Sequence, residues 1–338
     1  MTSFLFWMII ALAVAFGMTN GFIVGGSLVS AVITTRALTP LAALLCVAVC
    51  EMGGVFLFGQ HVARMLGQQL VLFPSGEAPA RLLAILASAA AGALGWNLVM
   101  WRMALPTSSG HALVGGLAGS FVGAYGLAGV HWGVFGRIFV LLGVMPLIGS
   151  FTGYGLARGG YWVGEFLAPS WGRVFRGAEI CALGGAALTH GSNDGQKTMA
   201  MIALAMAARS STGLPSVIPW PVALLCGTAL AVGLIFGSRR IIRSVGQRLY
   251  RVQPLQAVCA QTSTMLLVGI CSVAGYPMSS SQLISTSLLG AGVAVHPRGI
   301  RWDLVGEIGL AWLITLPMSG LLAASAVWMT QRMAHVVP

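Results

Sequence analysis

The chain has 338 residues and a net charge of +11, yet only 7% of its residues are charged and 57% are apolar. Soluble domains carry roughly a quarter charged residues, so a mean hydropathy of +0.89 excludes a soluble fold and marks an integral membrane protein. The positive charge is not that of a nucleic-acid binder, because the arginines sit in short segments between apolar runs.

Runs of the roughly 20 residues that cross a bilayer are predicted, in order, at 4–35, 40–59, 81–101, 106–126, 134–157, 178–208, 217–238, 255–274, 278–295 and 303–330. None alternates polar with apolar residues, so they read as helices and not as barrel strands. The first run lacks a basic segment ahead of it and is expected to belong to the body of the protein, not to a cleaved leader. Two runs carry interruptions, "GMTNGFIVGGSLVS" in the first and "THGSNDGQK" in the sixth. Two others open on a proline followed by hydroxyl residues, "LPTSSGHALVGG" and "YPMSSSQLISTS". Broken backbone inside a bilayer survives only where it is buried in protein or lines a cavity.

Between the seventh and eighth runs, "SRRIIRSVGQRLYRVQ" holds Arg239, Arg240, Arg243, Arg248 and Arg251. Positive loops face the cytoplasm, which is where this one is placed; anionic lipid head groups are a further contact for it. The six cysteines, at 46, 50, 181, 226, 259 and 271, lie in or beside apolar runs and read as small buried apolar residues, not as a metal site.

The halves superimpose. Thr19-Asn20-Gly21 matches Thr189-His190-Gly191 at an offset of 170, and Pro106, Ser108 and Ser109 match Pro277, Ser279 and Ser280 at 171. Trp132 and Gly136 match Trp302 and Gly306 at 170, and Pro146 matches Pro317 at 171. One nearly constant offset over four separated blocks indicates duplication. The expected organisation is a first transmembrane repeat (1–157), a connecting loop (158–177) and a second repeat (178–338). Paired interrupted segments in two repeats point to a transporter's binding site near the midplane.

The chemistry of those segments suits an oxyanion. A helix that begins after Pro with Ser and Thr presents free N–H groups, a positive dipole end and hydroxyl donors. The candidate substrate-binding residues are therefore Thr107, Ser108 and Ser109 in the first half and Ser279, Ser280 and Ser281 in the second. Asp194 and Lys197, the latter the only lysine, stand in an apolar setting where a charge is expensive and usually functional. Asn20, Asn193, Asp194 and Lys197 are the candidate coupling-ion residues, with Na⁺ ligated by Asn193 and Asp194 as one form and a proton on the carboxylate as the other. A self-neutralising Asp194–Lys197 pair is the structural alternative. Glu51 and Glu179 are expected to pair with an arginine or with broken backbone, His111 and Gln282 to occupy equivalent places in the two hydroxyl loops, and Asn97 to bond between helices. No G-x-x-x-x-G-K-[ST] loop occurs, so ATP bound on this chain is not expected to drive transport, and no nucleophile–base pair suggests an enzyme.

At these residues the sequence resembles the inorganic phosphate transporter (PiT) family. The resemblance rests on "NGFxxxxSxxxxVxTTRALTP" from Asn20, "PTSSGHALVGG" from Pro106, "THGSNDGQKTM" from Thr189, "PMSSSQLISTSLLGAG" from Pro277 and "RWDLVGEIGLAWLITLP" from Arg301. It implies an all-α secondary transporter of two inverted repeats with broken or re-entrant helices, moving phosphate, or in some members sulfate, with H⁺ or Na⁺. One block departs: Ile23 and Val24 stand where the family has His-Asp, Ser27 where it has Asn, and Gln282 where the second loop has His. Half of the family's cation site is thus missing.

The expected function is ion-coupled transport of inorganic phosphate across the cell membrane. A sulfate or other oxyanion permease and a non-transporting sensor are the alternatives. No cofactor is expected beyond the coupling ion, H⁺ or Na⁺. The expected partners are inorganic phosphate or another small oxyanion and membrane lipid, with a homodimer left open and no nucleic acid.

Overall fold

A computed structural model describes residues 1–74, 76–164, 172–210, 215–242 and 252–336. Among these the regular structure is helical apart from one antiparallel bridge, Val71 to Val130. The first repeat contains α1 (Thr2–Asn20), α2 (Gly26–Thr34), α3 (Pro40–Gly54), the short α4 (His61–Arg64), α5 (Pro79–Arg102), α6 (Ser109–Tyr125) and α7 (Trp132–Gly164). The second contains α8 (Gly172–Ser210), α9 (Trp220–Gly237), α10 (Pro254–Ala274), α11 (Ser280–Val293) and α12 (Trp302–Val336). Every predicted run corresponds to helix, the first to α1 and α2 together and each of the others to one helix. Among the described residues seven helical stretches are long and apolar enough to cross a membrane, and the chain is a multi-pass membrane protein. Helix α8 is outside that set because its polar centre dilutes an otherwise apolar 39-residue helix.

The two interruptions expected in the first and sixth runs are not breaks. Gly21–Gly25 forms a single π-helical turn joining α1 to α2, and α8 runs through His190–Lys197 without a break. Polar residues satisfied by side-chain partners do not unwind a helix, and the π turn absorbs the one irregularity. The true breaks are at the two proline–hydroxyl segments. Helix also extends into both ends of the segment expected as a connecting loop, since α7 continues to Gly164 and α8 begins at Gly172. Arg243, Arg248 and Arg251 of the basic segment lie outside the described residues. All six cysteines are free; Cys226, Cys259 and Cys271 are buried, Cys46 and Cys50 half-buried, and Cys181 is exposed because its helix position faces outward.

The repeats are inverted, and packing shows it. Thr35, at the end of α2, hydrogen-bonds Glu179 near the start of α8, while a methyl placed on Gly17 would lie 3.1 Å from Thr198 Oγ1, so these equivalent helices run antiparallel. The hairpin helix of each half packs on the last helix of the other. Gly115 and Gly119 of α6 meet Leu316 and Gly320 of α12; reciprocally, Gly149 and Gly153 of α7 meet Thr286 and Ser287 of α11. Each hairpin folds back at its tip through a left-handed residue, Ala104 (φ 58°) after α5 and Gly275 (φ 80°) after α10, which are equivalent at the offset of 171. The backbone at Ala104 is strained, since an L side chain costs roughly 1–2 kcal/mol there.

Hydrocarbon offers no hydrophobic drive for helix association, so close backbone approach through small residues supplies it. A methyl on Gly119 would lie 2.2 Å from Gly320 O, and one on Gly290 would lie 1.9 Å from Ser150 O. Gly119→Ala and Gly290→Ala are therefore expected to lower the thermal stability of the purified protein, each by about 1–3 kcal/mol for overpacking against rigid backbone. Gly143→Ala, with nothing within 4 Å, is expected to leave it unchanged. Ala104→Gly is expected to raise it by about 1 kcal/mol.

Candidate functional site at the crossing hairpin tips

Helices α5 and α6 form one hairpin and α10 and α11 the other, and the tips overlap inside the protein. Ser281 Oγ donates to Thr107 O at 2.5 Å, across the pseudo-symmetry axis. The tip segments break the helix for a local reason. Proline denies the backbone an N–H, and the residue that follows the turn caps the next helix: Ser108 Oγ accepts from His111 N at 3.1 Å, and Ser279 Oγ accepts from Gln282 N at 3.4 Å. The first tip is held from α12, where Trp312 Nε1 donates to Pro106 O at 2.8 Å and Thr315 Oγ1 meets Thr107 Oγ1 at 2.7 Å.

The six candidate hydroxyl residues, all buried, divide into two kinds. Ser108 and Ser279 are caps, Ser281 ties the tips together, and Thr107 is tied to Thr315. Ser109 Oγ and Ser280 Oγ alone among the six have no partner among the described residues. They are equivalent at the offset of 171 and each stands at the first residue of its helix.

Lys197 lies between the tips. Its ammonium donates to Met278 O in the second tip, and a methyl on Gly110 in the first would lie 3.7 Å from Nζ. The same ammonium is paired with Asp194 Oδ1. Asp194 Oδ2 lies 2.7 Å from His190 Nε2, and His190 Nδ1 lies 2.7 Å from Glu51 Oε1. Glu51, His190, Asp194 and Lys197 thus form one chain of ionisable groups, all fully buried. The helix sets this up: positions 190, 194 and 197 are four and three apart and share one face of α8. Helix α3 brings Glu51 into range because Gly54 and Gly191 let the two backbones touch; a methyl on Gly191 would lie 2.2 Å from Glu51 O.

Asn193 braces the second tip. Its Oδ1 accepts from Met278 N at 3.0 Å, and its Nδ2 donates to Ser272 Oγ at 3.1 Å and Tyr276 O at 3.2 Å. Of the oxygens expected to ligate Na⁺, Asn193 Oδ1 and Asp194 Oδ1 are therefore engaged by protein groups, and Asp194 Oδ2 faces His190. Asn20 is buried, and neither of its side-chain polar atoms has a partner among the described residues. It lies one turn beyond Gly17, so antiparallel packing brings it level with the Asp194–Lys197 turn. Ile23 and Val24 are fully buried in the π turn, and Val24 joins an apolar cluster with Leu28, Ala187 and Leu234.

The remaining candidates have structural partners, and of these Asn97 makes the interhelical bond expected of it. Glu51 pairs with a histidine, not with an arginine or broken backbone, and Glu179 accepts from Thr35 Oγ1 at 2.6 Å, at the far end of α8 from Lys197. Asn97 Nδ2 reaches Thr19 Oγ1 at 3.4 Å, an interhelical bond between α5 and α1. Sequence reasoning missed His190, Trp312 and Thr315. The i, i+4 spacing of His190 and Asp194 was a usable signal; the two α12 residues gave none, because their partners lie about 200 positions away.

The profile described as "Phosphate transporter family" matches residues 20–171 and again residues 163–323, once per repeat. Among similar proteins, a "Probable low-affinity inorganic phosphate transporter" of Mycobacterium tuberculosis (strain ATCC 25618 / H37Rv) is 34% identical, the match covering 95% of this chain and 76% of that one. One of the same description from Rhizobium meliloti (strain 1021) is 31% identical, covering 94% of this chain and 93% of the relative. A solved structure described as "The sodium-dependent phosphate transporter" superimposes with a TM-score of 0.87 at 19% identity, over 97% of this chain and 99% of that one. With a matching profile over each repeat and relatives of this similarity over nearly its whole length, the chain belongs to the phosphate transporter family.

Proposed function

We propose that the chain is a proton-coupled secondary transporter of inorganic phosphate in the cell membrane, working through a first repeat at 1–157 and a second at 178–338. The observation that carries this reading is the meeting of two equivalent hairpin tips at one buried ammonium, with Ser109 and Ser280 as the free hydroxyls. Two helix starts, two hydroxyl donors and Lys197 make a setting for one tetrahedral oxyanion. Thr107, Ser108, Ser279 and Ser281 shape the site, and Ser109 and Ser280 donate to the substrate. The relatives described as low-affinity inorganic phosphate transporters support phosphate over sulfate.

For coupling, the neighbour described as sodium-dependent supports an ion, and the residues here favour the proton. Asn193 Oδ1 and Asp194 Oδ1 are engaged, Asp194 Oδ2 faces an imidazole, and Val24 supplies no second acid. With Glu51 and Asp194 set against His190 and Lys197, an oxyanion bound at Lys197 leaves the buried chain one negative charge in excess. A proton arriving along Glu51 and His190 restores neutrality, so anion and proton cross together. Alternating access would then expose the site to either side in turn.

Two experiments test this. Purified protein carrying Ser109→Ala and Ser280→Ala is expected to bind inorganic phosphate at least tenfold more weakly than wild type, since each lost bond to a buried charge is worth about 1.5–3 kcal/mol. Ser210→Ala, remote from the tips, serves as the control, and unchanged affinity in the double variant sinks the site. In proteoliposomes, a pH gradient is expected to drive phosphate accumulation and a Na⁺ gradient alone to drive none. Asp194→Asn is expected to abolish accumulation while phosphate exchange persists, because an amide holds no titrating proton. Accumulation by Asp194→Asn at the wild-type level, or driven by Na⁺ alone in wild type, overturns proton coupling.

A further inference from the structure

Beside the second tip, a cavity of about 280 Å³ opens to the surface, lined among others by His61, Arg64, Gln68, Gln69, Arg137 and Tyr276. Among the described residues its lining holds two guanidinium groups, an imidazole and two amides, and no carboxylate. It lies at the end of α10. The start of that helix, 21 residues away, borders a different cavity lined by Arg36 and His296 and follows the basic 239–251 segment. At about 1.5 Å per residue the two cavities are roughly 30 Å apart, on opposite faces of the membrane. Because the basic segment marks the cytoplasmic face, the smaller cavity faces outward.

The cavity is joined to the tip. Tyr276 lines it, and two residues on, Met278 O receives Lys197. A methyl on Gly275 would lie 3.2 Å from His61 Cβ, so the rim rests directly on the tip's turn. Its walls are fixed. Gln196 Oε1, next in sequence to Lys197, accepts from Val62 N at 2.9 Å, and Gln60 exchanges two bonds with Ile218, at 2.8 and 2.7 Å. Among the described residues each arginine makes one hydrogen bond, to backbone, Arg64 to Ser216 O and Arg137 Nε to Gly133 O at 3.3 Å, and their other donors face the cavity's ligand space.

The geometry points to an outward-facing anion antechamber: Arg64 and Arg137, with His61, hold a phosphate-type oxyanion at the mouth and raise its concentration beside the Tyr276–Ser281 tip. This inference rests on the transport reading above for its direction, and on the cavity's charge and position for its existence. A cleft lined with one sign of charge raises local substrate concentration and capture rate by roughly ten- to a thousandfold, in a salt-dependent way.

The test uses Arg64→Gln and Arg137→Gln, singly and together, in phosphatidylcholine proteoliposomes, with initial uptake of inorganic phosphate and of sulfate measured at low and high ionic strength. The double variant is expected to raise KM for the carried oxyanion about fivefold at low salt and to flatten its salt dependence, with the loss in KM and not in the saturating rate. An unchanged KM and salt slope, or a fall confined to the saturating rate, overturns the antechamber. A variant effect that appears only when phosphatidylglycerol is added assigns the cavity to lipid head groups and also overturns it. Equilibrium binding of inorganic phosphate to the same proteins in detergent separates the two readings. If the variants weaken low-salt binding while wild type accumulates nothing in any gradient, the coupling reading falls and the antechamber stands.

Discussion

A lysine ammonium at the centre of a membrane protein has to be neutralised by groups that are themselves buried. An isolated charge there costs at least roughly 2.5–3.5 kcal/mol, and here Lys197, Asp194, His190 and Glu51 share the burden in one chain. Much of the surrounding architecture serves that chain. Three of its members stand on one face of a single unbroken helix, which fixes their spacing. The fourth is reached only because glycines at 54 and 191 let α3 and α8 touch backbone to backbone. The remaining hydrogen-bonding capacity of the ammonium is turned on the second hairpin tip through Met278 O, so the same interaction that stabilises the charge locates the loop.

The tips in turn divide their polar groups between structure and exposure. Caps, cross-axis bonds and the brace from Asn193 satisfy the broken backbone, as hydrocarbon requires. What they leave over is a matched pair of hydroxyls, one from each repeat. Inverted duplication explains why the leftover groups match: the same sequence folds to the same tip twice, and the two-fold axis brings the copies face to face. The asymmetry lies in the helices that cross there. Helix α8 carries charge at this level, whereas α1 carries Asn20 followed by apolar Ile23 and Val24 in a π turn. Three of the four ionisable groups therefore come from the second repeat, and the first adds only Glu51, from α3.

The two repeats interlock and do not pack as separate bodies. Within the bundle, backbone contacts at Gly119–Gly320 and Gly290–Ser150 join each hairpin helix to the long helix of the opposite repeat. Each hairpin is therefore fixed to the other half's outer helix, and a shift of one repeat must carry a tip with it.

The sequence by itself determined the membrane class, the ten apolar runs in order, the duplication and the two proline–hydroxyl breaks. These are written locally, in hydropathy along the chain, in spacing, and in the identity of residues next to one another. It also marked Asp194 and Lys197, because charge in an apolar run is visible without coordinates. It misjudged "THGSNDGQK" as a break, since a polar stretch reads the same whether its groups face solvent or partners on another helix. Only the tertiary structure decided that His190 links Asp194 to Glu51, that Asn193 is a brace, and that Ser109 and Ser280 are the free hydroxyls of six. Glu51 and His190 are 139 positions apart and Thr107 and Thr315 are 208 apart. Whether a donor is free depends on what the other end of the chain brings within 3 Å of it, and no local pattern encodes that.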